Sequence, residues 1–153
     1  MQYWLFKTEP DAFSIDDLAT MPKQTEHWDG IRNYQARNYL RDQIKRGDHV
    51  FIYHSSCKNV GIVGVAEVVK EGYPDHSQFD PDSKYHDPKS DPDAPRWYMV
   101  DIKLKQKFAG LLSLKDIKAM PDIQDFALVK KAYRLSIMPV AQNEWHKLIS
   151  RAP

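Results

Sequence analysis

The chain has 153 residues, 42% hydrophobic and 28% charged, a length that fits one domain of roughly 100–200 residues and a composition that excludes wholesale disorder. Its 22 Lys+Arg and 21 Asp+Glu leave a net charge of +1, and its single cysteine, Cys57, excludes a disulfide framework or a Cys-rich zinc module. No apolar run approaches the ~20 residues of a membrane-spanning helix, and residues 1–7 lack the layout of a signal peptide, so a reducing, intracellular compartment is expected.

Tyr3-Trp4-Leu5-Phe6 is short, aromatic and closed by Lys7-Thr8-Glu9-Pro10, which predicts a strand ending at a proline. Ser14 ahead of Ile15-Asp16-Asp17-Leu18 predicts a short helix with a serine cap and acids in its first turn. A loop punctuated by Pro22 and Gly30 comes after it. The strongest helical pattern is next, with Asn33 as cap, Ala36, Leu40 and Ile44 four apart, and Gly47 as the stop. Arg37, Arg41 and Lys45 form a basic stripe about 100° round from the apolar one. Residues 32–46 hold five basic side chains and one acid, so this flank offers a local positive potential that the net charge hides.

Strands dominate the middle of the chain. His49–His54 is β-branched and aromatic, and residues 60–69 form a nearly continuous apolar run broken by Gly61 and Gly64, as in a buried strand. Residues 97–105 alternate, with Tyr98, Val100, Ile102 and Leu104 on one face and Asp101, Lys103 and Lys105 on the other. Between them, residues 75–95 are rich in proline and aspartate and predict a long loop. Short helices at 114–120 and 125–132, a strand at 135–140 and a helix at 142–150 complete the pattern. Strands with short helices interposed predict an α+β fold on a curved or closed sheet, as one domain over residues 1–153.

The search for catalytic patterns returns blanks: no phosphate-binding glycine loop, no His-Glu-x-x-His and no nucleophile elbow. Cys57 lies three residues after His54, but no spacing rule makes it a nucleophile. Asp75, His76, Asp80, Asp82, His86 and Asp87 lack the glycine and terminal glutamate of a calcium loop, and read better as a solvated acidic loop. Nothing in the spacing of Glu67 and Asp101 pairs them for acid–base work. No enzyme activity, metal or cofactor is expected.

What remains is aromatic side chains interleaved with polar and basic ones. Flat heterocycles are recognised by stacking on aromatic rings while donors and acceptors read their edges, and each stacked base is worth ~1–3 kcal/mol. Trp28 offers such a face, and Glu9, Asn33, His54 and Ser55 offer the edge contacts, with Lys7-Thr8 and Tyr53 beside them at strand ends. Arg37, Arg41 and Lys45, with Arg32 just ahead of them, are the candidates for backbone phosphates. Each of the four tryptophans, and Tyr53, is also an ordinary core residue by type.

Tyr3-Trp4-Leu5-Phe6-Lys7-Thr8-Glu9-Pro10, Trp28-Asp29-Gly30-Ile31-Arg32-Asn33-Tyr34-Gln35-Ala36-Arg37-Asn38, Phe51-Ile52-Tyr53-His54-Ser55 and Ile62-Val63-Gly64-Val65-Ala66-Glu67-Val68-Val69-Lys70 together resemble the EVE domain family. Tyr85-His86-Asp87-Pro88-Lys89-Ser90, Arg96-Trp97 and Arg134-Leu135-Ser136-Ile137-Met138-Pro139-Val140 extend the match over nearly the whole chain. The resemblance implies a PUA-like fold, a small, strongly curved β-barrel flanked by helices. It also implies a non-enzymatic nucleic-acid reader that accepts one modified base, with 5-methylcytosine in DNA the leading proposal. By the same likeness Lys7, Thr8 and Glu9 edge the pocket, Trp28 stacks on the base, Asn33 is a polar wall, and Tyr53, His54 and Ser55 line the opposite side. The alternatives are an RNA-binding module reading modified RNA with the same pocket, a small hydrolase using His54 and Cys57, and a protein-interaction module. The expected location is the cytoplasm for a bacterial chain and the nucleus for a eukaryotic one.

Overall fold

Trp4 and Phe6 alternate with Leu5, and this alternation decides how the molecule is layered. In the computed structural model, which describes residues 1–130 and 134–153, Tyr3–Thr8 forms β1. Trp4 and Phe6 are buried in one core and Leu5 in another. His49–His54 forms β3 in the same way, with Val50 and Ile52 in the first core and Phe51 and Tyr53 in the second. A strand covered on both sides reads as an unbroken apolar run, as these do.

The remaining strands are β2 (Thr25–His27), β4 (Gly61–Pro74), β5 (Tyr98–Ser113) and β6 (Ile137–Val140). They form one six-stranded sheet in the order β2-β5-β4-β3-β1-β6. β1 runs parallel to β3, and every other neighbouring pair is antiparallel. The fold is therefore α+β, built on a mixed sheet. Among the described residues β2 and β6 are its two outer strands and do not pair with each other, so the ladder is open where the family resemblance implied a barrel.

Helices α1 (Ile15–Thr20) and α2 (Tyr34–Asn38) cover the first core through Ile15, Leu18 and Ala36. Helices α3 (Leu114–Lys118) and α4 (Gln142–Arg151) cover the second through Ile117, Trp145 and Leu148. Trp145 stacks on Phe51 with ring centroids 3.8 Å apart. Ser14 caps α1, as its sequence predicts, and the Asp17 side chain reciprocates by accepting from the Ser14 N–H.

Several local expectations need correction. The Asn33 side chain does cap α2, and Ala36, Leu40 and Ile44 are all buried, but the helix is not one regular rod. After Asn38 it widens into a π-helical turn, Tyr39–Gln43, in which Ile44 N–H bonds to Tyr39 O, five residues back. An inserted residue rotates the later side chains by about 100°, so the basic residues do not form a straight stripe. Gly72 of β4 lies hard against this turn, where a Cβ would sit 2.3 Å from the Leu40 carbonyl oxygen.

β2 is too short and polar to be visible as a strand in the sequence; its ladder to Lys103, Ile102 and Asp101 makes it one. The helix expected at 125–132 is represented by a 3-10 turn, Ala127–Val129, and its last residues lie outside those described. The long loop is ordered by contact. It contains a 3-10 turn, His76–Phe79, and the buried Gln78 amide donates to the Asp75 and Trp97 carbonyls while its oxygen accepts from the Trp97 N–H.

Candidate functional site

Parallel pairing of β1 with β3 brings Thr8 opposite His54, so both strands end at the same rim. Ser55 N–H bonds to Thr8 O there, and Lys7 N–H bonds to Ser136 O just ahead of β6. The loop leaving β2 approaches from the other side, and residues 84–85 of the long loop close it. Between them lies a cavity of about 970 Å³. That volume is at the upper end of small-molecule pockets, which span roughly 300–1,000 Å³.

Among the described residues Phe13, Trp28 and Tyr85 line the cavity with carbocyclic aromatic rings. Trp28 is held from behind by Phe6 (centroids 5.7 Å) and edge-on by Phe13 (6.0 Å), and is only 7% exposed. It is a wall of the cavity and part of the first core at once, not a free-standing platform. Tyr85 lies across Gly30, whose φ of +81° is natural only to glycine, and a Cβ there would meet the Tyr85 ring at 2.7 Å. Gly30→Ala is expected to lower stability by about 1–3 kcal/mol and to displace Tyr85. Urea unfolding reads the first effect, and the near-ultraviolet tyrosine signal reads the second.

Of the residues expected at the site, Lys7, Thr8, Glu9, Trp28 and Ser55 do line this cavity. Asn33, Tyr53 and His54 are not among its lining residues. Asn33 is committed to the cap of α2, and Tyr53 is buried in the second core. His54 Nε2 accepts from the backbone N–H of Ile15 at 3.1 Å, so its imidazole closes the start of α1.

Burial pushes the His54 pKa below the ordinary imidazole value, Asp16 opposing and Lys107 adding to the shift. Its neutral form is the one that fits, because a protonated ring cannot accept from Ile15. The unfolded chain then binds more protons between the native pKa and about 6.5, so His54 contributes stability above that value and loses it as pH falls through the native one. His54→Gln, which keeps an acceptor, is expected to flatten the difference between urea midpoints at neutral and mildly acidic pH. Cys57 bonds to the Asn59 carbonyl, so the thiol and imidazole have separate partners. Glu67 and Asp101 likewise have different partners: Lys105 lies 3.4 Å from Glu67, and the Tyr73 hydroxyl donates to Asp101.

The expected phosphate ligands have diverse surroundings. Arg32 faces inward, its guanidinium donating to Asp75 Oδ2 (3.1 Å), Ser77 Oγ (3.0 Å) and the Tyr85 carbonyl (2.7 Å). Arg37 donates to the Arg96 carbonyl and lies over the Tyr34 ring. Arg41 is exposed and paired with Asp42, and Lys45 is exposed with Glu71 at 3.9 Å. Asp75 is fully buried, which corrects the reading of it as part of a solvated acidic loop. Burial alone would raise its carboxyl, but bonds from Ser77, the Gly30 N–H and Arg32 outweigh that and hold it below the usual carboxylate range.

Sequence reasoning missed Phe13, Tyr85, Lys84 and Arg134 as cavity residues. Lys84 and Arg134 stand exposed at the lining and form no ion pair among the described residues. Lys7, half-buried beside them, has its pKa pushed down by burial. The only available signal was that the motif segments around Tyr85 and Arg134 belong to the family pattern.

The model of the EVE domain matches residues 2–151. This chain belongs to the EVE domain family. Mouse thymocyte nuclear protein 1 is 41% identical over 165 residues, a match covering 97% of this EVE domain chain and 72% of the mouse protein. A solved protein from Pseudomonas syringae is 44% identical, with a TM-score of 0.92 over 97% of this chain and 98% of that one. The human THYN1 protein, solved in complex with 5-methylcytosine-containing DNA, is 39% identical, with a TM-score of 0.93 over 99% and 97% of the two chains. In this EVE domain the segments that carry the family pattern supply Lys7, Thr8, Glu9, Trp28, Ser55, Tyr85 and Arg134 to the cavity, while Phe13, His27 and Lys84 come from between them.

Proposed function

We propose that this protein is a non-enzymatic reader of nucleic acid that captures a single modified base, 5-methylcytosine or a close analogue in DNA, in the cavity beside Trp28. The observation that carries the reading is one cavity walled by Phe13, Trp28 and Tyr85 and bordered by Lys7, Lys84 and Arg134. Aromatic walls suit a planar ring, and cations at its mouth suit the phosphates on either side. The human THYN1 complex with 5-methylcytosine-containing DNA supports the same ligand class.

Thr8, Glu9 and Ser55 supply edge contacts in this reading, with Asn33, Tyr53 and His54 acting from behind the wall. Lys84 and Arg134 hold the phosphates next to the captured base. Arg37, Arg41 and Lys45 hold those farther along the strand, and Arg32 positions Tyr85. A methyl group in an apolar pocket is worth only ~1–3 kcal/mol, so discrimination against unmodified cytosine is modest. Extracting a base from a duplex costs a few kcal/mol, so single-stranded or mismatched sites bind more tightly.

A PUA-like, strongly curved sheet fits this role. Four register shifts between the long strands β4 and β5 support that curvature, because bulges bend and twist a ladder. We take residues 1–153 as one such domain, working in bacterial cytoplasm or a eukaryotic nucleus.

Fluorescence anisotropy with labelled oligonucleotides carrying cytosine, 5-methylcytosine or 5-hydroxymethylcytosine tests the proposal. The methylated DNA is expected to bind about tenfold more tightly than the unmodified one. Tyr85→Ala should remove most of that preference, and RNA of equal sequence should bind more weakly. Equal affinity for all three bases, unchanged in Tyr85→Ala, sinks the reading; a preference for RNA moves it to the ribose-contacting alternative.

A further inference from the structure

His27, Asp29 and His76 come together beside the cavity, each offering a ligand atom within 4.8 Å of the others. In the sequence His76 groups with the aspartates downstream of it, whereas its neighbours in space lie far upstream. β2 ends at His27, Asp29 lies two residues on, and His76 opens the turn after Asp75. The Asp75 carboxylate accepts from the Gly30 N–H and from Arg32, which ties the two segments together. The imidazoles of His27 and His76 consequently meet edge to face, with centroids 4.8 Å apart.

A second feature points to a cation. Nδ1 of His27 lies 2.9 Å from Glu26 Oε1. The same Glu26 oxygen accepts from the His27 backbone N–H at 2.9 Å, which holds the carboxylate beside that edge of the ring and leaves Nε2 as the nitrogen open to a metal, and metal-ligating histidines commonly have a carboxylate behind them. We propose that His27, Asp29 and His76 form a site for a divalent first-row transition ion, with the Glu26 carboxylate behind His27. Two imidazoles and one carboxylate form a donor set that suits zinc. Bonds of about 2.0–2.2 Å place adjacent ligand atoms roughly 3–3.5 Å apart, so the cluster closes by up to about 1.5 Å on binding. His76, exposed at the start of its turn, supplies that movement. Three protein ligands leave a further coordination position, and because His27 and Asp29 line the cavity, that position opens onto it.

The site stands independently of the base-reading proposal. Protein stripped with a chelator is titrated with cobalt(II) near neutral pH, monitoring the visible d–d bands, and zinc is then added as competitor. One equivalent of cobalt, displaced by zinc, is the expected result, with affinity weakened about tenfold or more in His76→Ala and in Asp29→Ala. His146→Ala, an exposed histidine elsewhere, should bind as the parent does, and circular dichroism verifies that each variant is folded. Absence of d–d bands at millimolar cobalt, or undiminished affinity in folded His76→Ala, overturns the proposal.

Discussion

Replacing Asp75 with alanine is expected to destabilise the protein by about 3–5 kcal/mol, read as a lower urea midpoint. The carboxylate is buried and accepts from the Gly30 N–H, the Ser77 N–H and hydroxyl, and Arg32. Removing it strands a partly buried guanidinium and several donors at once, which costs more than the net worth of the pair. Asp75→Asn keeps an acceptor without the charge and should lose less. The pH dependence separates the two effects. A carboxyl whose native pKa lies below the unfolded value of about 3.9 contributes stability above that pH, and the contribution is lost as pH falls through the native value. Subtracting the Asp75→Ala profile from that of the parent isolates this acid-side loss. The consequence reaches the cavity, because the same carboxylate fixes Gly30, on which Tyr85 rests.

The second large effect concerns affinity. Changing Lys84 and Arg134 together to glutamate is expected to weaken DNA binding about 100-fold at low salt. Each cation lost from a phosphate contact should also reduce the slope of log affinity against log salt by about one unit. Both side chains are exposed at the cavity lining, so folding is expected to be unaffected. Arg41→Glu provides the comparison: its guanidinium already pairs with Asp42, so its effect should be smaller. Anisotropy titrations over a series of salt concentrations measure both quantities. An unchanged slope in the double variant would place the phosphates elsewhere.

The sheet was readable because burial leaves a compositional trace. Trp4, Leu5 and Phe6, or Val50, Phe51 and Ile52, are apolar without interruption because both faces are covered, and the alternation from Val100 to Leu104 marks a face open to water. The caps at Asn33 and Ser14 were legible for a related reason, since they depend on neighbours within one turn. Charge carries no such trace. Asp75 and Asp80 are the same residue type in the same loop, yet one is fully buried and the other is exposed, and the distant Gly30 and Arg32 hold the carboxylate of the first alone. Arg32 and Arg41 differ in the same way. His54 reads as a polar group at a strand end, but the Ile15 N–H that captures it comes from another element. β2 has no pattern of its own and exists through its partner on β5. The cavity residues of the long loop, Lys84 and Tyr85, were hidden because tertiary contacts, not local preference, order that segment.

The two boundary strands of the sheet carry a last implication. β2 is three residues long, and β6 contains Pro139, which has no amide hydrogen to offer an incoming chain. Neither margin is a good template for adding a foreign strand, so this architecture resists runaway stacking of one copy on the next. Recruitment of other macromolecules then falls to side chains and loops, and the hydrogen-bonding backbone of the sheet stays reserved for the molecule's own interior.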